Sequence, residues 1–279
     1  MNLKEALVHA RDILTRNNID DASLEAEILL RHVLKITRPQ LYQELDIELS
    51  KVNEDSYSEL IARRQQGEPS AHITGHREFY GLDFYVDHNV LIPRPESEFL
   101  VEKTLEIARS RDIAIVTDVG TGCGAIAISL ATNLDEIKIY ATDISLNALT
   151  VAEKNCLRYG VADRIELLHG NMLEPLPGHV DLIIANLPYV RKADIPDSGP
   201  LSFEPVQALD GGVDGISMIN ALCVQAKDKL SPGGVMLLEI GEGQADAVTD
   251  IINEVFSSAR VEVTGDYAGI ERIVGIYLT

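Results

Sequence analysis

Cysteine is scarce in this chain. The three that occur, Cys123, Cys156 and Cys223, stand far apart, form no Cys-x-x-Cys pair and share no metal-ligand spacing with histidine, so neither a disulfide framework nor a zinc site is indicated. The cytoplasm, which keeps thiols reduced, fits that usage. Long apolar runs are missing too. Residues 1–14 mix charges among apolar side chains and contain no signal-peptide core, and no stretch reaches the roughly 18 apolar residues that a membrane span requires. No internal repeat or low-complexity tract is present. With 279 residues, the chain can bury one large core and a smaller one without covalent staples.

Basic charge is also in short supply. Against 44 Asp and Glu there are 24 Lys and Arg, a formal net charge of −20. A surface of that sign repels the phosphate backbone that dominates nucleic-acid affinity, so DNA and RNA are not expected as direct partners, whereas a basic protein surface would be drawn in. The excess is uneven: residues 1–72 hold 9 basic against 13 acidic side chains, net −4, which leaves 15 against 31, net −16, for the remainder.

What is there divides into two patterns. Over 3–66 apolar residues recur at helical spacing: Leu3, Ala6, Leu7, Ala10, Ile13 and Leu14, then Ala26, Leu29, Leu30, Val33 and Leu34 behind Asp20-Asp21, then Tyr57, Leu60 and Ile61 behind Asn53. Three helical stretches of a small bundle are expected, with the Asp and Asn residues as start signals. Gly67 and Pro69 close it. Alternation around Gly81, with Phe79, Tyr80, Phe84, Tyr85 and Val86, predicts a β-hairpin, and Ile92-Pro93-Arg94-Pro95 breaks the pattern before an amphipathic helix over 96–108. From there strands are expected at 113–118, 137–142, 165–168, 181–185, 235–239, 260–263 and 272–277. Helices are expected from Ala125, Asn147, Ile216 and Gln244. Strands separated by helices predict an α/β fold, a mostly parallel sheet with an antiparallel hairpin at its edge. The expected organisation is a helical substrate-recognition domain at 1–72, a β-hairpin linker at 73–92 and a catalytic domain at 93–279.

Two motifs carry chemistry. Asp118-Val119-Gly120-Thr121-Gly122-Cys123-Gly124 follows a strand and opens a helix, where glycines let a ligand approach the backbone. It also reads as a dinucleotide fingerprint through Ala125, and Asp143 at the end of the next strand would hold a ribose hydroxyl in either case. Asp118 beside the loop suits a cationic ligand, and Gly170-Asn171-Met172 offers an amide and a soft apolar face for adenine. For Cys123 a small residue in a tight loop is expected, not a nucleophile. None of the seven histidines is placed to assist hydride transfer. The second motif is the apolar run 180–185 stopped by Asn186-Leu187-Pro188-Tyr189. A strand end of a doubly wound sheet faces the ligand crevice; there the Asn186 carboxamide both donates and accepts, Pro188 fixes the backbone and Tyr189 offers a flat face. No catalytic Asp, Glu or His is evident near the turn. Together the motifs point to methyl transfer from S-adenosylmethionine to a planar nitrogen, for which positioning can suffice without a strong base.

With these motifs the chain resembles the PrmC/HemK protein-glutamine methyltransferases over nearly its full length. The resemblance rests on Pro69-Ser70-Ala71-His72-Ile73-Thr74-Gly75, Phe79-Tyr80-Gly81-Leu82-Asp83-Phe84, Val90-Leu91-Ile92-Pro93-Arg94-Pro95-Glu96-Ser97-Glu98, the glycine loop and the Asn186 turn. It extends to Glu204-Pro205, Ala208-Leu209-Asp210-Gly211-Gly212, and Leu238-Glu239-Ile240-Gly241 with Gln244. It implies a class I, Rossmann-like methyltransferase, a monomer, that modifies the glutamine of the Gly-Gly-Gln loop of class 1 peptide-chain release factors and leaves S-adenosylhomocysteine. It further implies cofactor contacts at Gly120, Thr121, Gly122, Cys123, Gly124, Asp143, Met172 and Asn186, a glutamine pocket at Asn186, Leu187, Pro188 and Tyr189, and no metal. The chain departs at Leu187, where the family usually has proline, and at Met172, where an aromatic residue is common. Arg94 would contact substrate or tie the domains together. An adenine-N6 nucleic-acid methyltransferase and a non-catalytic cofactor-binding adaptor are the competing readings; the charge argues against the first.

Overall fold

The computed structural model describes residues 1–278. The helices are α1 (Leu3–Arg16), α2 (Ala22–Leu34), α3 (Arg38–Gln43), α4 (Lys51–Gln65) and α5 (Ser70–Thr74), followed by strands β1 (His76–Phe79) and β2 (Leu82–Tyr85). Then come α6 (Glu98–Ser110), β3 (Ile115–Val119), α7 (Ala125–Asn133), β4 (Lys138–Asp143), α8 (Leu146–Tyr159), β5 (Ile165–His169) and β6 (Val180–Ala185). The chain ends with α9 (Ser217–Ala226), β7 (Leu230–Glu239), α10 (Ala245–Val255), β8 (Arg260–Gly265) and β9 (Glu271–Tyr277). Two compact units result: Met1–His76 with Pro196–Phe203, and Arg77–Ile195 with Glu204–Thr279.

The first unit buries the apolar stripes of its helices. Leu14, Leu29, Leu30 and Leu41 are fully inaccessible, with Tyr57 and Ile61 packed beside them, and the Tyr57 hydroxyl donates to the Ala26 carbonyl at 2.9 Å. Two helix starts differ from the sequence expectation. Asp21 precedes α2 in a left-handed conformation, φ 50°, and its side chain makes no capping bond. Asn53 lies inside α4, whose cap is Ser50, accepting from the Asn53 backbone; serine is as good an N-cap as asparagine, so residue type does not decide between the two. Asn2 and Thr37 form capping boxes with Glu5 and Gln40.

In the second unit, β1 and β2 form a two-stranded sheet joined by Tyr80 and Gly81, both at positive φ (50° and 73°). That pair is what a type I′ two-residue hairpin demands, and the glycine supplies it without strain. Asn155, completely buried on α8, completes the edge of the hairpin. Its Oδ1 accepts from the Tyr85 backbone while Nδ2 donates to the carbonyls of Tyr85 and Cys123, each at 2.9 Å. One side chain thus fastens the hairpin to the loop that follows β3.

The main sheet has the order β5-β4-β3-β6-β7-β9-β8. Its first five strands are parallel, and β9 runs antiparallel to both β7 and β8. This is the mostly parallel sheet with an antiparallel edge that the pattern predicted. Strand β7 starts earlier than expected, because the ladder with β6 resumes across an irregularity between Leu230 and Val235 that absorbs Pro232, Gly233 and Gly234. Helix α7 is buried along Ala125–Ala131, which explains its nearly uninterrupted apolar sequence.

Replacing Asn155 by Ala strands three backbone groups at once. With about 1–3 kcal/mol for each buried polar group left unpaired, the unit should lose on the order of 3 kcal/mol or more. Urea unfolding measures it; an unchanged midpoint would mean that the hairpin and loop hold themselves.

Candidate active site

Strand register sets the crevice. Val119 of β3 lies level with Thr142 of β4 and with Ala185 of β6, so the next residues, Gly120, Asp143 and Asn186, line up at the carboxyl ends of these strands. Those ends lie where the strand order reverses direction, the place at which open α/β sheets bind ligands.

The loop from Gly120 to Gly124 is held by its own backbone. The N–H groups of Gly120 and Thr121 both donate to the Thr142 carbonyl, at 2.9 and 3.0 Å, and Gly124 donates to Thr121. Gly120, Gly122 and Gly124 have positive φ, and a Cβ on Gly122 would meet nothing within 4 Å, so the backbone there is bare towards the crevice. Asp118 is sealed beneath the loop at 1% exposure. Its Oδ2 accepts from the Thr121 hydroxyl at 2.6 Å and the Ala127 backbone at 3.3 Å, a helix-start role; burial nonetheless pushes its pKa up to about 6. Cys123 is buried, and burial pushes its thiol to about 12, so it contributes backbone only.

Asp143 is only partly covered, and each carboxylate oxygen has one backbone donor: Gly122 to Oδ2 at 3.0 Å and Ser145 to Oδ1 at 2.8 Å. Further lone pairs remain for hydroxyl donors, so the residue fits a ribose. Beside it Ile144 and Leu146 are exposed apolar side chains. Met172 takes a left-handed backbone, φ 53°, and is largely buried within the core cluster. Ile144 is absent from the residues expected at the site, although an apolar residue after a strand-ending Asp is a legible signal.

At the other side of the crevice, Asn186 Nδ2 donates to Ser97 Oγ at 2.8 Å, leaving Oδ1 as the end available to a ligand N–H. Leu187 is buried in the core cluster, and its Cδ2 lies 3.3 Å from where a Cβ on Gly120 would stand. The side chain that replaces the family's proline therefore packs the turn against the glycine loop. Tyr189 has its ring edge near Gly241, 3.2 Å from a Cβ position there, and burial holds its hydroxyl neutral, pushed up to about 12.

The turn is clamped from outside. Val190 donates to Leu209 at 3.1 Å, Gly211 to Val190 at 2.8 Å and Lys192 to Gly212 at 2.8 Å. Gln244 donates to the Tyr189 and Gly215 carbonyls at 3.0 and 3.3 Å and accepts from Gly241 at 2.8 Å. These contacts assign structural work to segments the sequence only flagged. Arg94 pairs with Glu204, whose other oxygen accepts from the Ile92 backbone at 2.9 Å, so it ties segments within the second unit. The absence of an acidic group near the turn is corrected by the sheet: Leu238 pairs with Ala185, which brings Glu239 beside Asn186. Its signal was readable, since Glu239 ends an apolar strand as Asp143 does. Among the described residues no group of three or more His, Cys, Asp or Glu could hold a metal, and no helix is long and apolar enough to cross a membrane.

Comparison with known proteins adds three findings. Residues 5–75 match the family model described as the PrmC N-terminal domain, and residues 95–198 that of the Methyltransferase small domain. The release factor glutamine methyltransferase of Moorella thermoacetica is 42% identical, the alignment covering 98% of this chain and 97% of that protein. That of Koribacter versatilis is 40% identical, with 98% of each covered. Among solved structures, a methyltransferase from Pyrococcus furiosus shares the fold with a TM-score of 0.53 at 20% identity, over 79% of this chain and 98% of that one.

Gly211 makes the clamp testable. A Cβ there would sit 2.7 Å from the Pro188 carbonyl oxygen and 2.8 Å from Tyr189 Cα, backbone atoms that cannot rotate away. Overpacking of this kind costs about 1–3 kcal/mol, so Gly211→Ala should speed amide exchange at Val190 and Lys192 by roughly ten- to a hundredfold while β3 stays protected. Equal protection in both proteins would show that the loop does not hold the turn.

Proposed function

Because the chain belongs to the family of release factor glutamine methyltransferases, we propose that it methylates the side-chain amide nitrogen of the glutamine in the Gly-Gly-Gln loop of a class 1 peptide-chain release factor, using S-adenosylmethionine and leaving S-adenosylhomocysteine. The observation that carries this reading is the Asn186 carboxamide, whose Nδ2 is engaged by Ser97 so that Oδ1 remains for an incoming N–H. S-adenosylmethionine supplies an electrophilic methyl group on a sulfonium. The Asp143 carboxylate would hold its ribose, the loop of Gly120, Thr121, Gly122, Cys123 and Gly124, open at Gly122, its amino-acid part, and Ile144 with the edge of Met172 its adenine.

An amide nitrogen is a poor nucleophile because its lone pair is delocalised into the carbonyl. Asn186 Oδ1 and the Leu187 backbone carbonyl can each accept one of its N–H bonds, which fixes its orientation and pushes electron density towards nitrogen, while Pro188 and Tyr189 wall the pocket. Orientation alone is worth roughly 7–11 kcal/mol in favourable cases. The nitrogen turns acidic as its new bond forms and sheds a proton to solvent, so no strong base is required. The net charge of −20 favours a protein substrate over the nucleic acid of an adenine-N6 enzyme.

Residues 1–72 are proposed to dock the release factor, a role supported by the match of residues 5–75 to the PrmC N-terminal domain. Their removal should lower kcat/KM on the intact factor far more than on a short Gly-Gly-Gln peptide; equal losses would leave them a stabilising role only.

Mass spectrometry of a purified release factor after incubation with enzyme and cofactor should find one added methyl group on that glutamine. Two variants should separate the two halves of the site. Asn186→Ala is expected to lower turnover by about 10²–10³-fold, by analogy with loss of a preorganised hydrogen-bonding group, with cofactor affinity largely kept. Asp143→Ala should instead cost about 1.5–3 kcal/mol of cofactor binding, read by calorimetry. An Asn186 variant with wild-type turnover would refute the assignment, and a wild-type protein that binds cofactor but never methylates would support the adaptor.

A further inference from the structure

Glu239 is a buried carboxylate that the reaction described above does not use. It ends β7, one residue beyond the Leu238–Ala185 pair, and is 3% exposed. Its Oε2 is buried with no hydrogen-bond partner in the protein. A charge placed there is costly unless something compensates it, and its neighbours include Tyr189 of the turn and Ser97, which holds Asn186. The hydroxyls of Ser97 and Tyr189 and the Arg272 side chain favour its ionised form, Glu96 opposes it, and burial outweighs them all, raising it to about 7. Arg272 and Arg94 also act on the Tyr189 hydroxyl. Ser97, likewise 3% exposed, accepts from Asn186 Nδ2 at 2.8 Å, and its hydroxyl is among the groups that act on the Glu239 carboxylate, whose unpaired Oε2 is an acceptor for its proton.

A hydroxyl has one proton to give and lone pairs with which to accept. Its direction of donation therefore decides what the neighbouring carboxamide can do. We propose that Glu239 is a positioning residue: by drawing the Ser97 hydroxyl hydrogen towards its carboxylate, it leaves Ser97 Oγ able only to accept from Asn186 Nδ2, and so commits Asn186 Oδ1 to the acceptor nitrogen. Without the carboxylate, Ser97 could donate to Asn186 Oδ1, the amide could turn over, and an NH₂ group would face the substrate N–H. This rests on the methyl-transfer reading of the turn, but the hydrogen-bond polarity itself is a property of the free protein. It explains why an ionisable group is kept in a strand end where Gln would fit. A protonated Glu239 can itself donate to Ser97, so the commitment should weaken as pH falls through its pKa.

Two measurements on the full chain test it. In the first, the Asn186 side-chain NH₂ resonances, assigned by their loss in Asn186→Asp, are followed by NMR against pH. They should titrate with an apparent pKa near 7 in the wild type and not in Glu239→Gln, an isosteric change that removes a buried charge and should leave the melting temperature at pH 8 unchanged or higher. In the second, Glu239→Gln should lower kcat on a Gly-Gly-Gln substrate on the order of ten- to a hundredfold, the range expected for a misplaced reacting group, with little change in cofactor affinity, and should abolish the acid limb of the wild-type profile. Ser97→Ala should lose as much, and the double variant little more. Asn186 signals that ignore Glu239, or a Glu239→Gln enzyme with wild-type kcat and the same acid limb, would overturn the proposal. If the NH₂ signals titrate as described but the wild type methylates no release factor, the polarity stands and the methyl-transfer reading fails.

Discussion

The crevice depends on a single register. Parallel strands advance together, so pairing Val119 with both Thr142 and Ala185 leaves three chain segments emerging side by side with no room to slip. A shift of one residue would turn every side chain of β3 to the opposite face and take Val116 from its place beside Ile139 and Leu182, all of which are inaccessible. The hydrophobic cost of that exchange is what fixes the positions of Asp143 and Asn186. Precision in the site is therefore paid for in the core, several residues from any ligand.

Beyond the strand ends, backbone rigidity comes from two different sources. In the glycine loop, both leading N–H groups converge on the Thr142 carbonyl, and Asp118 and Asn155 secure the loop from below and behind. In the turn, a second proline would limit one φ angle by covalent means. Here Leu187 gives up that restraint and gains a buried side chain against Gly120, while the 209–215 loop and Gln244 supply hydrogen bonds that hold the segment after it. The departure from the family's proline thus exchanges one restraint for others already present, which argues against reading it as loss of activity.

Elements whose signal is local were legible in the sequence. The helices of the first unit, the alternation of strand and helix, the edge hairpin and the two strand-end motifs all follow from periodicity or from turn chemistry within a few residues. Features that depend on partners distant in sequence were not. The Ser97–Asn186 bond spans 89 positions, and the Arg94–Glu204 pair spans 110; no window on the chain contains both ends. The start of β7 was hidden for another reason, because Pro232, Gly233 and Gly234 read as a break and only pairing with β6 shows that the ladder continues around them. A carboxylate beside a glycine loop suits either a cation or a helix start, and for Asp118 burial with bonds to Thr121 and Ala127 supports the second.

Burial raises three carboxylates at the crevice, Asp118, Asp143 and Glu239. Burial is the leading cause for both Asp118, raised from 3.8 to about 6, and Glu239, raised from 4.5 to about 7. A carboxyl whose pKa rises on folding binds protons more tightly in the native state, so its contribution to stability is fully present below the unfolded pKa and is lost as pH rises through the folded one. Ion-paired surface carboxylates act in the opposite sense. At neutral pH the chain therefore retains buried carboxylates that oppose folding, although isosteric amides would avoid the charge. Their retention makes sense through what they orient: Asp118 accepts from the loop that faces the cofactor crevice, and Glu239 sets the donor direction of the hydroxyl that holds Asn186.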